Sequence, residues 1–253
     1  MSPAGDCVCD QRAAHEAPPS WPSHLFVSSP DISTVATIIG NVLLPPLCRC
    51  CGNLADGDAW APLLCRGCDA EFPIFDAAIA IGGEISAAHA FAEFEGPARR
   101  LLIDLKYAGV IRAGKVIGAR MAAAPGASKI LRGADLVVPV PLHWRRRWRR
   151  GHNQAAVLAR AMARERPGLL LANALRRVRA TRPQVGLPHE QRLINVGEAF
   201  RLRWHQRVRS AGATIVLVDD VVTTGATASA AAVALLAGGA REVRLYAASV
   251  SRR

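Results

Sequence analysis

Two short stretches hold most of the chemistry. In the first, an apolar run, 213–218, leads into Asp219 and Asp220, followed by Thr223, Thr224, Gly225, Ala226 and Thr227 and then an alanine-rich segment. Small residues let backbone N–H groups close around phosphate oxygens, threonine hydroxyls donate further bonds, and a helix N-terminus adds partial positive charge. The carboxylates are then placed to accept hydrogen bonds from sugar hydroxyls and to hold Mg²⁺ through water. A bare acidic pair on an ordinary strand–turn–helix would read as a solvated turn; the Thr-Thr-Gly-Ala-Thr that follows is more specific. It is neither a Walker loop nor a dinucleotide fingerprint. In the second stretch, Cys48, Cys51, Cys65 and Cys68 form two Cys-x2-Cys pairs separated by 13 residues. Four thiolates close a tetrahedral Zn²⁺ site of the structural kind, whose metal would supply folding energy to a module too small for much core. Reduced, unliganded thiols are the alternative. Cys50 offers either an alternative partner for Cys48 or a spare thiol; spacing favours Cys51, because Cys48-x-Cys50 makes a cramped chelate. Cys7 and Cys9 read as bystanders.

Positive charge is the third feature. The 253 residues carry 32 Lys+Arg against 20 Asp+Glu, for a net charge of +12. Only Lys106, Lys115 and Lys129 are lysine, and the other 29 cations are arginine. Part of this excess has the look of a GC-rich coding sequence; the rest implies a phosphate-rich partner. Arg145, Arg146, Arg147, Arg149 and Arg150 fall in one six-residue block with Trp148, preceded by Leu142, His143 and Trp144 and followed by Asn153. The block has three readings: multidentate donors for a pyrophosphate, a single-stranded DNA track with tryptophans stacking on bases, or a solvated basic face.

These residues need a scaffold. Hydrophobic residues make up 51% of the chain, too many for a disordered polymer and enough for a full core. Residues 1–33, rich in Pro and Ser, read as a disordered leader. Helical spacing over 34–44 ends at Pro45-Pro46. After the cysteine module come strands 75–81 and 85–94, joined by Gly82-Gly83. The pattern then alternates: helices 98–105 and 115–124, strand 135–140, helix 154–166, strand 213–218, helix 226–237 and strand 242–249. This predicts a largely parallel sheet covered on both faces. The domains expected are 1–33, 34–73 and 74–253. Residues 179–201 are too long for an ordinary connection, so they are functional or an exposed flap. Lys106 and Tyr107 either cap the preceding helix and pack on the core, or face a pocket. No run reaches the roughly 18 apolar residues of a membrane span, and no signal peptide is legible. A cytoplasmic location follows, where cysteines favour metal or free thiols over disulfides.

The stretch VLVDDVVTTGATA (216–228) resembles the phosphoribosyl pyrophosphate motif of type I phosphoribosyltransferases. The chain is also similar, in order and spacing, to the ComF (competence protein F) family, through PPLCRCCG…LCRGC, ARRLLIDLKYAG (98–109), VPVPLHWRRRWRRGHNQAAVLARAMA (138–163) and RPQVGLPHEQRLINVGEAFR (182–201). The resemblance covers roughly residues 35–250. One departure is Phe94, where the family has Tyr.

The resemblance implies a type I phosphoribosyltransferase fold preceded by a small Cys₄ zinc ribbon. Asp219 and Asp220 would contact the ribose, and Thr223 to Thr227 the 5′-phosphate. Leu142, His143, Arg150 and Asn153 would bind pyrophosphate, and Arg182, Gln184 and Arg192, on a closing loop, would stabilise its departure. The implied reaction is a Mg²⁺-assisted glycosyl transfer from phosphoribosyl pyrophosphate to a nitrogen nucleophile. No acceptor base is legible, and Asp220 is the nearest carboxylate to serve as general base. ComF resemblance further implies DNA uptake in natural transformation, with single-stranded DNA, a competence helicase and a DNA-loading protein as partners at the inner face of the membrane, without insertion. Residues Trp144, Arg145, Arg146, Arg147 and Trp148 would then contact DNA. A catalytically inactive import factor and a conventional nucleotide-salvage enzyme are the alternatives.

Overall fold

A computed structural model describes residues 46–56, 63–142, 148, 150–178 and 199–251. The leader, the 34–44 helix and most of the 179–201 stretch lie outside the described residues. The chain divides into two compact units, with the break between Glu71 and Phe72. Among the described residues no helix is long and apolar enough to cross a membrane.

The first unit is small. An antiparallel bridge, Leu47–Leu54, closes a turn in which the Gly52 N–H donates to the Cys48 carbonyl at 3.0 Å. Cys65 then caps helix α1 (Arg66–Ala70), its sulfur accepting from the Cys68 N–H.

The second unit carries a six-stranded sheet of β1 (Ile74–Ala78), β2 (Ala87–Glu93), β3 (Leu136–Pro139), β4 (Leu170–Leu171), β7 (Thr214–Val222) and β8 (Glu242–Val250). The order is β1-β2-β8-β7-β3-β4, and only the β1–β2 pairing is antiparallel. The mainly parallel α/β architecture expected from the sequence is what the protein has. A separate two-stranded ribbon pairs β5 (Leu175–Arg177) with β6 (Phe200–Leu202). Thr214 to Val218 are all buried, because β7 lies between β8 and β3 with helices on both faces. Ile215, Leu217, Leu245, Ala247 and Val138 are fully or almost fully buried in one cluster, where cutting a leucine to alanine costs about 2–5 kcal/mol.

Helix α2 (Gly96–Ile103) starts with Pro97 in its first turn, where the missing N–H costs nothing. It runs on as a π-turn, Asp104–Ala108, ended by Gly109 at φ 67°. Helix α3 (Ile111–Ala123) lies directly on α5 (Gln154–Glu165): a Cβ at Gly118 would stand 2.6 Å from the Leu158 carbonyl. Short α4 (Ala127–Ile130) precedes β3 and short α6 (Arg207–Ser210) precedes β7. Helix α7 (Ala226–Leu236) buries Ala228, Ala230, Ala231, Ala232 and Leu235. Its small side chains bring its axis close to the sheet.

The topology places a crevice. From β3 the chain crosses over through α5 to β4, towards one edge. From adjacent β7 it crosses through α7 to β8, in the other direction. Neighbouring parallel strands whose crossovers diverge leave a gap beyond their C-terminal ends, where open α/β sheets bind ligands.

Candidate functional site

Two loops border that crevice: 223–225 after β7, and, after β3, 140–142 together with 150–153. Strand β7 extends past the apolar run to Val222, so both carboxylates lie inside the strand. The ladder to β8 continues through Asp219–Ala247, Val221–Ser249 and Val222–Val250. Successive strand residues face opposite sides, so the two carboxyls diverge. Asp220 Oδ2 lies 3.3 Å from Lys106 Nζ, on the π-turn after α2. Lys106 thus pairs with Asp220 while also standing in the last turn of the π-helical segment. Tyr107 is exposed, and the Arg150 guanidinium sits 5.0 Å over its ring. Burial, reinforced by the neighbouring Asp220, pushes the Asp219 carboxyl well above the usual carboxylate range, while the Asp220 N–H and the Lys106 charge oppose this. A bound cation or sugar hydroxyl would relieve the strain of ionising it.

Thr223, Thr224, Ala226 and Thr227 are exposed, whereas Gly225 is buried. Gly225 adopts φ +74° at the N-cap of α7. A Cβ there would stand 2.5 Å from Ile81 Cγ2, so the loop backbone can lie this close only with glycine. The first-turn N–H groups of α7 have no partner within the helix, and they open beside the three exposed hydroxyls. Free N–H groups at a helix N-terminus favour anionic oxygens.

On the other bank, Asn153 caps α5. Its Nδ2 donates to the Val140 carbonyl at 3.0 Å, leaving Oδ1 buried without a hydrogen-bond partner. The His152 imidazole donates through Nε2 to the Leu105 carbonyl at 2.6 Å. The bond ties the start of α5 to the π-turn that carries Lys106. Leu142 and Arg150 are half-buried and Trp148 is almost fully exposed. His143, Trp144, Arg145, Arg146, Arg147, Arg182, Gln184 and Arg192 lie outside the described residues.

A cavity of about 510 Å³ lies beyond β3, on the side away from β7. It is lined by Pro139, Pro141, Asn153, Arg160, Arg203 and His205, among others. It exists because β4 pairs with only Leu136 and Val137 and then leaves the edge of β3 open. Sequence reasoning missed this cavity and its far wall. The signal was available in RLRWHQRVR (201–209), which carries four arginines, a histidine and a tryptophan with no acid.

In the first unit the four cysteine sulfurs lie within 4.8 Å of one another, with Cys51 and Cys65 at 3.5 Å. Tetrahedral Zn²⁺ with bonds of about 2.3 Å sets sulfurs about 3.8 Å apart, so the donor set fits zinc in both chemistry and spacing. Cys48, Cys65 and Cys68 are buried. Burial alone would raise the Cys48 thiol, but the backbone N–H groups of Cys51, Cys65 and Cys50 outweigh it and bring it down to about 7. Burial raises Cys51. Cys50 is partly exposed and outside the cluster.

Comparison with known proteins agrees with the sequence resemblance. No family model matches the chain. DNA utilization protein YhgH of Escherichia coli K12 is 40% identical over 112 residues, which are 44% of this chain and 48% of that protein. Competence protein F of Haemophilus influenzae is 35% identical over 112 residues, with the same shares. Among solved structures, glutamine phosphoribosylpyrophosphate amidotransferase from B. subtilis with ADP and GMP is 21% identical, covering 53% of this chain and 25% of that one at a TM-score of 0.37. A second structure, described as the allosteric regulatory enzyme of purine biosynthesis, gives 0.34 at the same identity and coverage. The chain is thus homologous to proteins named for DNA utilization and competence, and the matched stretch spans about half the length of those relatives.

Proposed function

We propose that this protein binds phosphoribosyl pyrophosphate with Mg²⁺ at the β7 crevice and acts in DNA uptake. One observation carries the reading: at the sheet's switch point, the Asp220 carboxylate paired with Lys106 and the exposed threonines of the loop after β7 border one crevice, suited to a ribose 5-phosphate. In this reading Asp219 and Asp220 hold the ribose and its cation, and Thr223 to Thr227 hold the 5′-phosphate. Leu142, His143 and Arg150 face the pyrophosphate, and Arg182, Gln184 and Arg192 close over it. Transfer breaks the bond from the anomeric carbon to the pyrophosphate oxygen and forms one to a nitrogen nucleophile, and pyrophosphate departs as the anion. Closure would keep water from the oxocarbenium-like centre. Zinc in the Cys₄ cluster is structural.

The DNA half of the reading is supported by the names of the relatives and by the arginine-rich stretches with exposed tryptophans. Single-stranded DNA is the nucleic acid it takes, and a helicase and a DNA-loading protein are its partners.

Calorimetry with phosphoribosyl pyrophosphate and Mg²⁺ tests the sugar-phosphate half. The expected result is binding by wild type that Asp219→Ala/Asp220→Ala abolishes. Absence of binding by wild type overturns it and leaves a DNA-binding import factor. Equal binding by the double variant would instead move the site elsewhere.

A further inference from the structure

We infer that the corner 201–209, with the 510 Å³ cavity behind it, is a single-stranded DNA surface in which Trp204 stacks on one base and the cavity takes the next. This deepens the DNA half of the proposed function and rests on it. The corner links β6 to β7 through a 3₁₀ turn, Trp204–Gln206, and α6. Trp204 is 83% exposed, an unusual cost for the largest apolar side chain, and Val208 beside it is 89% exposed. Arg201, Arg207 and Arg209 are exposed too, and form no ion pair among the described residues. Three arginines and one indole thus present charge and an aromatic face to solvent with no acid among them. A nucleic acid strand needs both, because its phosphates follow the cations while its bases stack.

The cavity separates this surface from a merely solvated basic face. Arg203 and His205, either side of Trp204 in sequence, form one wall, and His205 lies edge-on to the indole at 5.8 Å. Gly151, Asn153 and Arg160 come from the other side. Its volume lies within the range of small-ligand sites, so it holds a nucleobase with its sugar. Pro139, Pro141, Val157 and Leu175 supply apolar contact. A lipid surface would use the Trp and arginines but leave the cavity without a role, and α6, with four residues, is too short to lie in an interface.

The test uses the full zinc-loaded chain and fluorescence anisotropy with 5′-fluorescein-labelled dC20 and dT20 at several salt concentrations. Wild type is expected to bind both oligonucleotides. Trp204→Ala weakens binding about 5- to 160-fold, the range for one lost base stack, without changing the salt slope, and Trp204→Phe recovers most of the loss. Arg207→Ala/Arg209→Ala makes the log–log salt slope shallower by about 1.4, or about 0.7 per phosphate contact. Lys129→Ala/Arg132→Ala, an exposed pair before the N-terminal end of β3, removes equal charge and stays within about two-fold of wild type. All four residues changed here besides Trp204 are exposed, as Trp204 is, so folding is retained and is checked by thermal melting. If wild type binds but Trp204→Ala binds equally well, the corner is not the surface and the DNA reading stands elsewhere. If wild type binds neither oligonucleotide, the DNA reading itself fails. If Trp204→Ala loses anionic phosphatidylglycerol vesicles in sedimentation while keeping dC20, the corner is a membrane contact and the inference is overturned.

Discussion

Gly225→Ala probes the phosphate loop without touching a charge. The substitution meets two separate penalties. At φ +74° an L-residue pays about 1–2 kcal/mol for the left-handed conformation. The new Cβ would also stand 2.5 Å from Ile81 Cγ2 and 2.7 Å from its Cδ1, and overpacking of this kind costs about 1–3 kcal/mol. The expected total is about 2–5 kcal/mol, read as a lower urea midpoint with an unchanged m-value. Ile81→Ala separates the parts. In that background the clash is gone but the backbone strain stays, so Gly225→Ala should then cost only about 1–2 kcal/mol. Phosphoribosyl pyrophosphate binding, followed by calorimetry in parallel, should fall in Gly225→Ala and recover partly in the double variant. The reasoning is refuted if Gly225→Ala costs the same with and without Ile81, since the clash would then not be acting, or under about 0.5 kcal/mol in wild type, since neither penalty would then be acting.

Further outcomes follow from the same geometry. Asp219 has its pKa raised by burial and by Asp220, so the folded state holds its proton more tightly than the unfolded one. Its ionisation therefore costs stability progressively as pH rises above the ordinary carboxylate pKa. Asp219→Asn should match wild type in melting temperature near pH 4, exceed it at pH 8, and lose sugar-phosphate binding. Glu242 shows the opposite sign: hydrogen bonds from Arg244 and Ser86 lower it from 4.5 to about 2. Its stabilisation is full above pH 4.5 and is lost as pH falls towards 2. With the partial exposure of the pair discounted, Glu242→Gln should cost about 1–2 kcal/mol at pH 6 by urea titration, and progressively less below pH 4.5. Metal analysis should find one zinc per chain, lost in Cys68→Ser and kept in Cys50→Ser, and chelation should unfold the first unit while β-sheet circular dichroism persists.

How far the sequence could be read depended on whether a feature is local. Cys48, Cys51, Cys65 and Cys68 form a cluster that spacing alone defines. The apolar run before Asp219 marks a central strand, but its end was read too early. Val221 and Val222 resume the ladder with Ser249 and Val250, and cross-strand pairing carries the two acids with them despite their poor strand propensity. The π-turn at 104–108 has no local signature. It accompanies tertiary bonds, from His152 to the Leu105 carbonyl and from Lys106 to Asp220. The β5–β6 ribbon was missed because Leu-Arg-Arg and Phe-Arg-Leu are too short and too charged to show alternation. What joins them is the burial of Leu175 and Phe200 in the main core.

The bond between His152 and Leu105 has a mechanical consequence. It fastens the start of α5 to the turn that holds Lys106 against Asp220, so the two banks of the crevice cannot be displaced independently. A ligand that draws Lys106 away from Asp220 pulls on the backbone carbonyl to which α5 is anchored. In the proposed reading, a sugar phosphate beside Asp220 and a base in the cavity beyond β3 would be linked through this one imidazole N–H, and any coupling between them would be reciprocal.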